Sequence, residues 1–410
     1  MPNEYESPIG QRPEITGVVI PPAPRHDPYA AFRSRGFRFF TTGNLLSIVG
    51  RQMLAVAVEW EIYRRTHSAT ALGLVGLVFA IPIVGFSLPA GHLADRISRK
   101  NIILVSQIFS SVTSALLALV SWQHLAIPEM SILRACNHGL SAIAGVFEQH
   151  QQTFHFDDAS IPLIYLLLFL GAIARTFSWA ARSSFFPTLV PRDAFSNAVT
   201  WNNSIFQIGS VVGPAISGFV VARRGFPIVY VIDAITSFAF FLLALPIPRA
   251  KQTRERADQS TWRSLAAGAK FVFSKKVILA TITLDLFAVL LGGAVALLPI
   301  FADQILHCGP VGLGWMRAAP AIGAFGMALI VAYLPPMREA GKTLLWCVTG
   351  FGIATIVFGL STALWLSLAA LFGPVISVVA GGIGTIFVVI GSALKWPEIR
   401  KIGALDRNLR

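Results

Sequence analysis

From Arg38 to Leu394 the chain is mostly a succession of apolar runs, and its charged residues gather in the segments between them. A helix rises 1.5 Å per residue, so about 20 apolar residues cross the hydrocarbon core of a bilayer. Six such runs precede a long basic segment and four follow it. Composition agrees: 54% of the residues are hydrophobic and 13% charged, about half the ~25% charged share of soluble domains. One soluble domain of 410 residues has too little interior to bury that many apolar helices. The expected fold is all-α and membrane-embedded, with the lipid bilayer as its first partner.

The net charge of +13 implies no nucleic-acid partner. The bases sit in short loops and tails beside apolar runs, not on one amphipathic face. With the N-terminus inside the cell, 25 of the 33 Lys and Arg fall in cytoplasmic segments, five outside (Arg64, Arg65, Arg134, Arg223, Arg224) and three within spans (Arg51, Arg175, Arg317). That asymmetry follows the positive-inside rule. It predicts a multi-pass protein of the cell (inner) membrane with both termini cytoplasmic. Cys136, Cys308 and Cys347 form no C-x-x-C pair and imply neither a disulfide framework nor a metal knuckle. Residues 1–36 read as a disordered cytoplasmic tail, since Met1 to Pro28 has no apolar core of a signal peptide.

The first span is expected at about Arg38 to Tyr63. Arg51 lies inside it, with Glu59 and Glu61 near its outer end, where Glu61 and Arg65 have the spacing of a helical pair. Spans follow at about Ala71 to Leu93 (with Pro82 and Pro89), Asn101 to Trp122, Ile161 to Ala181 (with Arg175), Phe195 to Ala222 and Phe226 to Pro246 (with Asp233). Between the third and fourth lies a segment of residues 123–160 rich in His and acids. Its Glu129 to Gln149 has the period of an amphipathic helix on the outer surface. It lacks the spacing of a zinc motif, so a solvated loop is the reading and no metal is implied. Residues 248–276 carry eight Lys and Arg against two acids and read as a cytoplasmic linker. Further spans are expected at about Val277 to Phe301 (with Asp285), Pro310 to Leu334 (with Arg317) and Leu344 to Leu360. A final run covers about Leu364 to Leu394.

The most informative stretch is Gly91 to Lys100, G-H-L-A-D-R-I-S-R-K, between the second and third spans. A small residue there lets two helices approach. Arg96, Arg99 and Lys100 mark the cytoplasmic side, and Asp95 can pair with them or face a helix N-terminus. Spacing, charge and position together resemble the signature loop of the major facilitator superfamily, with Ser98 in place of a common glycine. The R-x-F-R-F-F entry at Arg35 to Phe40 and the run from Trp60 through P-A-G-H-L-A-D-R narrow the likeness to the branch of enterobactin-exporter-like permeases.

That resemblance implies a two-bundle helical transporter. It makes Gly91, Asp95, Arg96, Arg99 and Lys100 a cytoplasmic gate in which the aspartate holds the bundles together against the eleventh helix. It makes Arg175 a candidate for proton coupling. It also likens Gly209 to Gly218, with Gly209, Gly213, Pro214 and Gly218, to a helix-five motif linked to exporters. From Gly373 the final run resembles the branch's last helix, followed by W-P-E-I-R at Trp396 to Arg400. The region of the eleventh helix is missing, which gives about ten spans, six plus four, instead of twelve. The expected organisation is a six-helix bundle at 37–247, the linker, a shortened second bundle at 277–395 and a tail at 396–410.

No nucleophile-base set and no Walker loop stand in the chain, so it is expected to be neither an enzyme nor an ATP-driven pump, and no cofactor is implied. The expectation is a secondary transporter, monomeric, exporting a small molecule (a siderophore or a drug-like compound) with protons as the coupled ion. Asp233 and Asp285 are the best-placed acids and Glu59, near the rim, ranks below them. Arg51, Arg175 and Arg317 are candidate partners for these acids or contacts for an anionic substrate. The alternative is a truncated, non-transporting protein of the same ancestry, a relic or an accessory subunit.

Overall fold

The computed structural model describes residues 27–123, 160–248, 270–291, 294–333 and 340–372. Every regular element among them is helical. In the first half these are α1 (Arg35–Thr66), α2 (Ala69–Arg96), α3 (Arg99–Gln123), α4 (Ser160–Phe185), α5 (Phe195–Arg224) and α6 (Phe226–Ala244). The second half has α7 (Lys276–Leu291), α8 (Gly309–Tyr333), α9 (Ala340–Leu360) and α10 (Leu364–Phe372).

The ends of these helices are set locally. The Ser34 hydroxyl accepts from the Phe37 N–H to start α1, and His67 ends it in the left-handed conformation. Ser68 at once caps α2 by accepting from Ala71, so two residues reverse the chain. α5 ends at Gly225, whose φ of 80° suits a residue without a Cβ. Pro227 then stands in the first turn of α6, where its missing N–H is no loss.

Most expected spans agree with these helices to within a few residues. The decapeptide is mostly helix: α2 runs to Arg96 and α3 starts at Arg99, leaving Ile97 and Ser98 as the turn. The seventh span is not one uniform rod. After α7 come a 3-10 turn at Ala294–Leu297, a short helix at Leu298–Ile300 and a π-type turn at Phe301–Ile305. The tail is ordered sooner than expected. Ala30–Arg33 forms a 3-10 turn, and Phe32 meets Trp201 of α5 edge-on at 5.0 Å, while Trp201 donates to the Pro28 carbonyl. The 123–160 insertion beyond Gln123, most of the 248–276 linker and everything from Gly373 onward lie outside the described residues.

α1 is the hub. It packs along α5 and α6; α3 packs on α6 and α4, and α2 on α4. In the second half α8 lies along α5, with α10 on α8 and α9 on α10. Polarity runs opposite to that of a soluble protein. Val84, Val105 and Leu242 are exposed, while Ser114, Gln107 and Asp233 are buried. Such a surface suits lipid. Among the described residues, five helices are long and apolar enough to cross a membrane.

One buried network staples the first half near the Thr66 end. Glu61, fully buried, accepts from Tyr230 at 2.5 Å, Ser121 at 2.8 Å and Arg65 at 2.5 Å. Arg65 also donates to Ser160 at 2.7 Å. The expected Glu61–Arg65 pair therefore forms, but its carboxylate sits within the bundle rather than on its rim, bonded to α3 and α6.

The helix-five glycines serve close approach. Gly209 lies on Ile48 of α1, and a Cβ at Gly213 would stand 2.6 Å from the Gln52 Cβ and 2.9 Å from the Val49 oxygen. At Gly218 it would meet the Pro310 oxygen at 2.6 Å, and at Gly314 the Pro214 oxygen at 2.5 Å, so α5 and α8 touch almost backbone to backbone. At Gly91 no described atom stands within 4 Å of a Cβ. Gly218→Ala should therefore lower stability by roughly 1–3 kcal/mol, the cost of overpacking, read as a fall in thermal unfolding temperature in detergent. Gly91→Ala should leave that temperature unchanged; an equal fall in both would refute the close α5–α8 contact.

Candidate functional site

Polar side chains of the first half gather between α1, α3, α4 and α6 because each helix repeats them on one face. Asn44, Ser47 and Arg51 on α1, Gln107, Ser110 and Ser114 on α3, and Arg175, Ser178 and Arg182 on α4 all follow the same three-then-four step, which keeps a stripe on one side of a helix. Asp233 and Ser237 add a fourth stripe on α6.

These stripes enclose a chamber of about 40 Å³ lined by Arg51, Gln107, Ser114, Arg175, Arg182 and Asp233, among others. That volume is enough to hold water. Beside it lies a cavity of about 380 Å³ between α1, α4 and α5. Arg51, Arg175, Ser178 and Arg182 line both, so the arginines form the partition. Phe40, Phe186, Trp179 and Phe206 wall the larger cavity, and Asn202 and Asn203 supply its amides.

Arg182 is the most firmly held of the three. It donates to the Asn44 oxygen at 2.8 Å and to the Ser178 hydroxyl at 3.0 Å. Its guanidinium lies 4.6 Å from the Phe240 ring centroid. Asn44 in turn donates to Asn202 at 3.4 Å. Arg175 rests over the Phe79 ring at 4.9 Å. Asp233 accepts a 2.6 Å bond from Ser114. Among the described residues none of these groups forms a salt bridge: Asp233 stands more than 4.0 Å from each arginine.

A second cluster joins the halves. Glu59 Oε1 accepts from Arg317 of α8, and its other oxygen is buried without a hydrogen bond. One turn on, the Tyr63 hydroxyl donates to Asp303 at 3.4 Å. With the α5–α8 glycine contact, these fasten the halves at the end of α1 near Thr66.

At the opposite end, hydrogen bonds tie the decapeptide to the first half. Arg99 donates to the Ser184 carbonyl at the end of α4, and Lys100 to the Leu245 and Ile247 carbonyls just past α6. Cations at helix C-termini are favourable placements. Asp95 is 70% exposed with Arg99 at 4.0 Å, and Arg96 is exposed.

The structure thus gathers Arg51, Arg175 and Asp233 at one site and Glu59 with Arg317 at another. Arg175 lies ten residues before the end of α4, too deep to reach the surface by snorkelling. Glu59 was expected near the rim, below Asp233 in rank. Because α1 continues to Thr66, Glu59 lies two turns inside and is buried. Asp285 falls on α7, and its side chain is outside the described set. Arg182 falls just past the expected end of the fourth span at Ala181 and so counts among the cytoplasmic bases; the repeated three-then-four polar step is the signal that would place it on the helix.

The profile of the Major Facilitator Superfamily matches residues 40–395. The chain is 27% identical to the enterobactin exporter EntS of Shigella boydii, over 82% of this chain and 73% of that one. It is 23% identical to the staphyloferrin A transporter of Staphylococcus aureus over 56% of this chain, a match that spans about half, 49%, of that protein. Its backbone is similar to the solved D-xylose–proton symporter, with a TM-score of 0.57 over 91% of this chain and 90% of that one at 14% identity. That likeness is one of fold. With a profile matched through both halves and a helical fold shared with such a transporter, this chain is a multi-pass membrane protein that belongs to the Major Facilitator Superfamily.

Proposed function

We propose that the chain is a secondary transporter that exports a small molecule by alternating access. The observation that carries this reading is a cavity walled by three arginines, beside two halves fastened at one end. The cavity reaches toward the other end: Phe40 is in the second turn of α1 and Phe186 lies just past the end of α4. With the positive-inside orientation, that end is cytoplasmic, as are both termini, and the conformation is inward-open. The protein works as a monomer in the inner membrane. The halves, 37–247 and 277–395, rock about the cavity. A siderophore or drug-like cargo fits the names of the exporters it is similar to. The reading as a non-transporting relic is not favoured, since the family profile continues to residue 395.

Glu59 is the carboxylate best placed to couple protons to rocking. Its pair with Arg317 exists only while the halves are closed at the Thr66 end. A proton on Glu59 removes the attraction, so protonation and closure compete. Asp95, with Arg96, Arg99 and Lys100, is the group that would meet the second half when the cytoplasmic end closes.

Three outcomes test this. Cells carrying the gene should retain several-fold less of at least one labelled siderophore or dye than cells without it, and Asp95→Asn should reduce the difference; equal retention across a broad panel would defeat the transport reading. A cysteine at His67 should react with an impermeant maleimide on intact cells, and one at Asp193 only after permeabilisation; the reverse pattern would invert the topology. Glu59→Gln leaves the partly buried Arg317 without its carboxylate, which weakens the contact between the halves. Spin labels at positions 64 and 307, in a background without native cysteines, should then move to longer distances. An unchanged distribution would show that the pair does not hold the ends together.

A further inference from the structure

Among the described residues that line the two cavities, the charges do not balance. Three guanidiniums line them, and Asp233 is the one carboxylate among the described lining residues. It already accepts from Ser114 and makes no ion pair within 4.0 Å. Arg182 spends donors on Asn44 and Ser178, which fix its position and leave its charge uncompensated. Arg51 and Arg175 have no hydrogen bond to the protein among the described residues; Arg175 has only the face of Phe79 beneath it. Each carries five N–H donors in a planar fork suited to a carboxylate. Uncompensated cations inside a membrane protein are costly and are kept where a pathway uses them. Water in the small chamber can hydrate them, but it supplies no negative charge.

We propose that this cavity binds an organic anion, with Arg51 and Arg175 holding its carboxylate and the aromatic wall its apolar body. The proposal rests on the transporter reading and names the class of cargo. A volume of about 380 Å³ lies in the range of small-ligand sites. Trp179, Phe186 and Phe206 provide ring faces for a flat apolar group. Among the described lining residues an organic cation would meet three guanidiniums against one carboxylate. Arg182 acts as a positioning residue, keeping the partition in place through Asn44 and Ser178 and adding to the positive potential.

The test is binding to the full-length protein in phosphatidylcholine nanodiscs, followed by calorimetry, with three probes of one shape: 2-naphthoate, neutral 2-naphthamide and cationic 2-naphthylmethyl-trimethylammonium. Naphthoate should bind at least tenfold tighter than the amide, and the cation should not saturate. Arg51→Gln and Arg175→Gln should each lower naphthoate affinity tenfold or more while leaving amide binding unchanged, and Arg175→Lys should recover part of the loss. Equal binding of naphthoate and amide, tighter binding of the cation, or a preference for naphthoate that survives both glutamine variants would overturn the proposal. Inorganic phosphate binding as tightly as naphthoate would also overturn it, because the aromatic wall would then contribute nothing. The wild-type series decides the matter even where a variant fails to fold. Binding does not depend on translocation: charge-selective binding without efflux would sink the transporter reading and leave the anion site standing. Efflux without charge-selective binding would do the opposite.

Discussion

A guanidinium cannot be left in hydrocarbon at low cost, and the first six helices are arranged around that fact. α1 carries Arg51 at mid-span and lies at the centre of the first half, against α5 and α6. α4 carries Arg175 and Arg182 two turns apart and turns them toward the same partition. The hydroxyls and amides of α3 and the aspartate of α6 complete the polar interior. The outer faces are then free to be apolar, as exposed Val84 and Val105 illustrate. Lipid compatibility and the polar site are two sides of one arrangement.

The same long helix divides the tasks along its length. Toward its start α1 lines the large cavity with Phe40 and Asn44. In the middle it brings Arg51 to the partition. Toward its end it reaches the second half through Glu59 and Tyr63, and Glu61 anchors it within its own bundle. A displacement of α8 against α5 at the Gly218–Pro310 contact would strain the Glu59–Arg317 pair directly. In the proposed rocking motion, movement at the fastened end and access to the cavity would thereby be linked through one helix.

Much of this was legible in the sequence, because hydrophobic run length is a strong signal in a membrane chain. Spans, tight packing at the helix-five glycines and the decapeptide turn all follow from periodicity, small residues and local charge. Three features did not. Glu59 looked peripheral because its depth depends on where α1 stops, and helix ends are set by caps such as Ser34 and His67 rather than by hydropathy. Arg182 looked like a loop charge for the same reason at the end of α4. The pairing of Glu59 with Arg317, 258 positions apart, has no local signature at all.

On the reading that the cargo is an anion, charge also bears on the energy source. An anion leaving a cell with a negative interior moves with the membrane potential, which is worth ~2.3 kcal/mol per charge per 100 mV. A single charge then sustains a gradient of roughly fiftyfold, since ~1.4 kcal/mol is tenfold. A proton on Asp233 would remove the one negative charge among the described chamber residues and leave the arginines freer to hold the anion. Proton and anion would then travel together, which opposes export wherever protons are driven inward. Glu59 stands elsewhere: a proton there competes with closure of the Thr66 end and not with the cargo. On that reading the two carboxylates would have separable tasks, Asp233 setting the charge of the cavity and Glu59 the balance between its open and closed ends, and an anion exporter would need only the second to sense protons.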